Sequence, residues 1–142
     1  MAKIKKLVIA SGYFNPLHKG HIEYLKRSKE LGDSLIVIVN NDMQVGLKGS
    51  KVFQNELERR EIIDELKSVN FSLVSIDEDR SVKRSIEFIH KFIKADKYIF
   101  TNGGDQFRDT ILEKDLCNQL GIELIDGLGG KIQSSSELKN QL

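Results

Sequence analysis

The chain has 142 residues, about one domain by length, with 39% hydrophobic and 30% charged residues. That is an ordinary globular mix, and a domain near this size buries roughly 68–70% of its unfolded-chain surface, so a core is possible without staples. A single cysteine, Cys117, excludes a disulfide framework and a cysteine-rich zinc site, and a net charge of +1 does not select for nucleic acid or acidic membranes. The longest strictly apolar run, Leu35 to Val39, is far short of the ~20 residues a membrane-spanning helix needs. Leu7 to Ala10, behind Lys3, Lys5 and Lys6, is shorter than the roughly 7–15 apolar residues of an export signal. The default reading is one soluble cytoplasmic domain spanning residues 1–142.

Lys5 to Ala10 reads as a buried strand that ends at Ser11-Gly12. A loop, residues 12–17, leads to a helix from Lys19 to Leu31, with Ile22, Leu25 and Leu31 at helical spacing and Gly32 as its stop. Ser34 to Asn40 is a second strand, apolar on both faces, as in a parallel sheet covered by helices. Residues 41–54 are polar, contain Gly46 and Gly49, and read as a loop. Asn55 and Glu58 have the form of a capping box ahead of a helix to Leu66. Phe71 to Ile76 is a third strand and Asp77-Glu78-Asp79 a turn, followed by a helix from Val82 to Ile93 with Ile86, Ile89 and Ile93 on one face. Tyr98 to Phe100 is a fourth strand, with the loop 102–105 at its carboxyl end. Thr110 and Glu113 form a second capping box, opening a helix to Leu120 that Gly121 ends. Ile122 to Ile125 is a fifth strand; the glycine-rich loop 127–131 leads to a third box, Ser134 with Glu137, and a last short helix.

Five alternations of strand and helix predict an α/β fold, a Rossmann-like doubly wound sandwich with a five-stranded parallel sheet and helices on both faces. Ligands in such sheets bind beyond the carboxyl ends of the strands, and the unusual residues cluster there. They are residues 12–21, Asn40-Asn41-Asp42 with Lys48, residues 102–105, and residues 127–136. The common phosphate motifs are absent. Gly130-Lys131 is followed by Ile132 and has Ile125 where a P-loop needs glycine, and Gly12 and Gly20 have the wrong spacing for a dinucleotide fingerprint.

What remains is His18-Lys19-Gly20-His21 at the mouth of the first helix. Two histidines three apart at a helix start point the same way, Gly20 lets a ligand approach the backbone, and the helix N-terminus adds free N–H groups and partial positive charge. The arrangement suits an anion, with two imidazole donors added. For an isolated pair the bland reading, solvated helix-start histidines or one buried structural histidine, is the stronger. The loop Gly12-Tyr13-Phe14-Asn15-Pro16 directly before the pair shifts the weight toward a site.

Residues 12–21 resemble the signature Gly-[Thr/Ser]-Phe-[Asp/Asn]-x-x-His-x-Gly-His of the cytidylyltransferase-like nucleotidyltransferase superfamily. Leu47-Lys48-Gly49, Arg59-Arg60, Asp77-Glu78-Asp79, Gly103-Gly104-Asp105 and Ser134-Ser135-Ser136 follow in order, much as in the heptose-1-phosphate adenylyltransferase branch. Glycerol-3-phosphate cytidylyltransferases and archaeal FAD synthetases look like more distant relatives.

The resemblance implies transfer of a nucleotidyl group from a nucleoside triphosphate, with Mg²⁺, to a small phosphorylated metabolite, a sugar phosphate first among them, with release of pyrophosphate. The nucleophile is an anionic phosphate oxygen, so no strong base is required, and the work falls on positioning and charge stabilisation. By resemblance His18 and His21 hold the phosphates and donate to the transition state, and Lys48 clamps acceptor or triphosphate. Gly12, the backbone at Tyr13 and Phe14, Asn15 and Gly20 complete the nucleotide loop. Gly104 and Asp105 meet the ribose or base, and Ser134, Ser135 and Ser136 hold the triphosphate. Arg59, Arg60 and Lys131 are further cations within reach of this argument, although Arg59 and Arg60 read equally well as a solvated helix face. The cytidylyltransferase segment Arg-Thr-x-Gly-Ile-Ser-Thr-Thr is replaced by Gly129-Gly130-Lys131-Ile132-Gln133, which tilts the donor toward ATP over CTP.

Tyr13 stands where the signature has Thr or Ser. A bulky residue there would crowd the phosphate loop and motivates a second hypothesis, a nucleotide-binding regulator without chemistry. A likeness to class I aminoacyl-tRNA synthetases ranks lower, because the chain is short and nearly neutral, and a flavodoxin-like receiver does not explain the histidines. Neither nucleic acid nor membrane is expected as a partner; dimerisation is common among relatives.

Overall fold

The computed structural model describes residues 3–103 and 107–125. Ten elements follow one another: β1 (Ile4–Gly12), α1 (Lys19–Glu30), β2 (Ser34–Val39), α2 (Asp42–Leu47), α3 (Glu56–Asp64), β3 (Phe71–Val74), α4 (Lys83–Phe92), β4 (Ala95–Thr101), α5 (Phe107–Leu120) and β5 (Glu123–Ile125). The five strands make one sheet in the order β3-β2-β1-β4-β5, and every pairing is parallel. The predicted α/β architecture is the observed one. The loop 127–131, the box at Ser134 and the last helix lie outside the described residues.

Alternation along the central strands explains why both faces are apolar. Leu7 and Ile9 of β1, with Ile36 and Ile38 of β2, point to one face and pack with Ile86 and Ile89 of α4 and Cys117 of α5. Val8, Ala10, Leu35, Val37 and Val39 point to the other, against Tyr24 and Leu25 of α1 and Ile63 of α3. The chain order dictates this division. From β1 the strands run outward to β2 and β3, then return across the sheet to β4 and β5. Right-handed crossovers therefore put α1 and α3 on one face and α4 and α5 on the other. The reversal lies between β1 and β4, and in sheets of this kind ligands bind beyond the carboxyl ends at such a point, here beyond Gly12 and Thr101.

Four local expectations are corrected. Residues 41–54 are not all loop, because α2 forms there. Asn41 Oδ1 accepts from the N–H of Gln44 at 2.9 Å and Gln44 Oε1 accepts from the N–H of Asn41 at 3.0 Å, a reciprocal cap that needs almost no apolar periodicity. Strand β4 begins at Ala95, earlier than Tyr98. Its polar first residues are held by pairing with β1 and by ion pairs, Lys3–Asp96 at 2.8 Å and Lys97–Glu123 at 3.1 Å. Helix α5 begins at Phe107, so Thr110 lies within it and is not its cap. Glu113, read as the partner of that cap, is buried and accepts from the N–H of Val82 at 2.9 Å.

The turn Asp77-Glu78-Asp79 also does more than reverse the chain. The N-cap residue of α4, Val82, has no side-chain cap, and buried Asp77 takes its place. Its carboxylate accepts from Arg84 N at 2.7 Å and from Ser85 N at 3.1 Å. Asp79 accepts from Ser81 Oγ at 2.6 Å, a bond that lowers its pKa from the usual carboxylate value.

Two buried acids of the core set an alkaline limit on stability. Burial pushes the Cys117 thiol and the Tyr24 phenol each up to about 12. The unfolded chain releases these protons at ordinary values, near 9 and 10, while the folded chain holds them. The unfolded state thus binds fewer protons, and stability falls as pH rises from about 9 toward 12. Denaturant midpoints measured between pH 8 and pH 11 are expected to fall, and Cys117→Ala to remove part of the slope. A flat profile would contradict the burial of both groups.

Candidate active site

The loop between β1 and α1 is shaped by two residues that have no room to change. Phe14 sits in the left-handed region at φ 50°, a conformation that costs a non-glycine residue of order 1–3 kcal/mol. Its buried ring folds back over Gly12, where an added Cβ would lie 2.6 Å from the ring, and meets His21 edge-on at 5.2 Å. The Asn15–Pro16 peptide is cis. The Asn15 amide joins this loop to residues 51–54: Nδ2 donates to Lys51 O at 2.6 Å, and Oδ1 accepts from Phe53 N at 2.9 Å and Gln54 N at 3.3 Å.

The two histidines open α1 as a capping box made from imidazoles. His18 Nδ1 accepts from Gly20 N at 3.1 Å, and His21 Nδ1 accepts from His18 N at 3.1 Å. The rings stack at 3.7 Å between centroids and 25° between planes. With Nδ1 an acceptor in both, the single proton of each neutral ring sits on Nε2. The helix start therefore sets orientation and tautomer together, and two adjacent rings supply Nε2–H donors beside the N-terminus of a 12-residue helix. A Cβ at Gly20 would press on the His18 ring at 3.0 Å, so glycine here keeps the ring in place.

Lys48, the C-cap of α2, reaches the same loop: its ammonium lies 4.3 Å from the centroid of the Tyr13 ring. Asn40, singled out at the end of the second strand, gathers here together with Tyr24, Ser28 and Thr101, which sequence reasoning left out. Asn40, at the carboxyl end of β2, is buried, and its N–H donates to Gly12 O at 2.9 Å. Tyr24 places its hydroxyl between the ends of β1 and β4, donating to Thr101 O at 3.0 Å, while Thr101 Oγ1 pairs with Ser28 Oγ at 2.9 Å. That buried network ties the carboxyl ends of β1 and β4 to α1.

Arg59 is not on a solvated face. It is 1% exposed, and its guanidinium donates to Tyr13 O at 2.8 Å, Asn40 O at 2.7 Å, Gln54 O at 2.8 Å and the Asp42 carboxylate at 2.7 Å. The signal available in the sequence is its spacing, four residues before buried Ile63, which puts it on the inward stripe of α3. Arg60 faces elsewhere, donating to Ser72 O at 3.3 Å beside Asp64. The structure thus brings Gly12, Tyr13, Phe14, Asn15, His18, Gly20, His21 and Lys48 around one loop. Gly104, Asp105, Lys131, Ser134, Ser135 and Ser136 lie outside the described residues.

This sequence and this sheet have known counterparts. The family model described as cytidylyltransferase-like matches residues 9–125. The chain belongs to the cytidylyltransferase-like family. It is 37% identical to a FAD synthase of Picrophilus torridus over 140 residues, 95% of this chain and 94% of that protein. It is 33% identical to the bifunctional protein HldE of Hahella chejuensis, matching 96% of this chain and 26% of that protein, so it spans about a quarter of HldE. A crystal structure of the lipopolysaccharide core biosynthesis protein from Thermoplasma volcanium GSS1 superposes with a TM-score of 0.69 at 34% identity, covering 87% of this chain and 95% of that one. This cytidylyltransferase-like protein is a nucleotidyltransferase. Among the described residues, no helix is long and apolar enough to cross a membrane.

Arg59→Ala leaves three carbonyls and a carboxylate without their donor and is expected to destabilise the fold by about 3–5 kcal/mol in urea titration. Arg60→Ala is expected to stay within about 0.5 kcal/mol. Equal losses at the two positions would remove the distinction between them.

Proposed function

We propose that the protein is an ATP-dependent adenylyltransferase that moves AMP onto a phosphate monoester and releases pyrophosphate. The observation that carries this reading is the histidine pair, with both Nδ1 atoms spent on the helix start and both protons on Nε2. Two neutral donors on a positive helix end suit a phosphate chain whose charge shifts during reaction. They do not suit proton abstraction, and the reaction needs none, because the attacking oxygen is already anionic.

In this mechanism an acceptor phosphate oxygen attacks the α-phosphorus of ATP. A new P–O bond forms, the bond to the oxygen bridging the α- and β-phosphates breaks, and pyrophosphate leaves. His18 and His21 donate from Nε2 to oxygens that gain charge, and the first turn of α1 adds its dipole. Lys48 meets phosphate charge from the α2 side. Mg²⁺, carried in with the triphosphate as part of the substrate, would supply charge neutralisation for the departing pyrophosphate. Gly104, Asp105 and the serines 134–136 are proposed to complete the nucleotide site.

For the acceptor, FMN is the first reading, supported by the end-to-end match to FAD synthases of similar length. A heptose phosphate is the second, favoured by the HldE matches. Pyrophosphate release with ATP is expected with one of these acceptors, and weaker or no release with CTP. Preference for CTP would overturn the donor assignment.

His18→Ala and His21→Ala are each expected to lower turnover by about 10²–10³-fold, with thermal midpoints showing the variants folded. Folded variants with unchanged turnover would remove the histidines from the chemistry.

A further inference from the structure

Position 13 departs from the small Thr or Ser of the family signature, and the chemistry above uses only its backbone. Its side chain is 8% exposed and well anchored. The Tyr13 carbonyl is held by the buried Arg59 guanidinium at 2.8 Å, and the next residue is the constrained Phe14. Over this fixed ring stands the Lys48 ammonium, 4.3 Å from the centroid, within the ~6 Å range of cation–π attraction. The lysine is also fixed at its root, because its N–H donates to Gln44 O at 3.0 Å and closes α2. Among the described residues no carboxylate forms an ion pair with Lys48.

We propose that Tyr13 is a positioning residue: its ring holds the exposed Lys48 ammonium at the mouth of the phosphate loop, where it meets a substrate phosphate. The proposal rests on the reading of Lys48 as a phosphate clamp. The choice of an aromatic ring has a physical rationale. A carboxylate would hold the ammonium more firmly but would neutralise it and compete with phosphate. A ring face attracts the cation through its quadrupole and leaves the full charge and the N–H donors available. It also restrains a long side chain that would otherwise lose its rotamer freedom only when substrate arrives. The threonine or serine of the signature is too short to present such a surface, so Tyr13 replaces solvent under Lys48 and does not mark lost chemistry.

Two readouts test this. The first is the proton spectrum of the Lys48 ε-methylene in the free protein. Contact with the ring face shifts it upfield in the wild type and in Tyr13→Phe, and Tyr13→Thr removes the shift. The second is pyrophosphate release with Mg²⁺·ATP, with FMN or a heptose 1-phosphate as acceptor. Tyr13→Thr and Lys48→Met are each expected to raise KM for a phosphate-bearing substrate by at least about two- to fivefold. The double variant is expected to be no worse than Lys48→Met alone, and Tyr13→Phe to rescue the loss seen in Tyr13→Thr. Additive losses in the double variant, or a wild-type ε-methylene at its ordinary shift, would overturn the proposal. If the ring shift is present but the wild type releases no pyrophosphate with either acceptor, the proposed function fails, and the positioning role fails with it because the pair is then only a packing contact.

Discussion

The site depends on one buried guanidinium. Four stretches of chain meet at the carboxyl ends of β1 and β2: the Tyr13 turn, the end of β2 at Asn40, the start of α2 at Asp42 and the segment before α3 at Gln54. Each presents an oxygen that secondary structure leaves unused, and Arg59 satisfies all four. Arginine suits this task because its planar fork offers five donors and stays charged when buried. Its charge is only partly matched by Asp42, whose carboxylate is part exposed. The remaining stabilisation comes from carbonyl dipoles, so the loops must close around the arginine for its burial to be tolerated. Loop geometry and burial of this charge are therefore one constraint.

The same economy marks the first turn of α1. A helix start must satisfy free N–H groups, and most proteins use serine, threonine or an acidic side chain. Here histidines do it, so the bonds that begin the helix also choose the tautomer that faces a ligand. Folding and the proposed chemistry share those contacts. A change that loosens the helix start would disturb the donors even without touching them, and Gly20 and Phe14 are constrained for that reason.

The far side of the sheet is organised by displaced caps. Asp77 and Glu113, distant in sequence, supply the acceptors that α4 lacks at its own start. Asn41 and Gln44 extend this network. Asn41 Nδ2 donates to Ser75 O and Asp77 O, and Gln44 Nε2 to Asp79 O and Ser81 O. Helix α2, which ends at Lys48, is thereby tied to the loop after β3. The position of a solvent-exposed lysine is thus set by polar contacts made at the start of its own helix.

Hydrophobic alternation and helix punctuation were enough to read the parallel sheet, its five strands and helices on both faces, because these are local patterns repeated along the chain. The histidine pair was legible for the same reason: its spacing at a helix start is a sequence fact with a geometric meaning. Other features were decided only when distant segments met. Arg59 and Arg60 are adjacent and chemically alike, yet one is buried against four oxygens and the other lies part-exposed beside Ser72 of the edge strand β3, because their helix turns Arg59 inward beneath the loops and Arg60 outward along the sheet edge. Thr110 and Glu113 match a cap in sequence, but Glu113 serves another helix. Helix α2 is too short and polar to show a period and stands on side-chain bonds. Local propensity speaks for elements, whereas a buried charge or a polar network depends on partners that the fold alone brings within 3 Å.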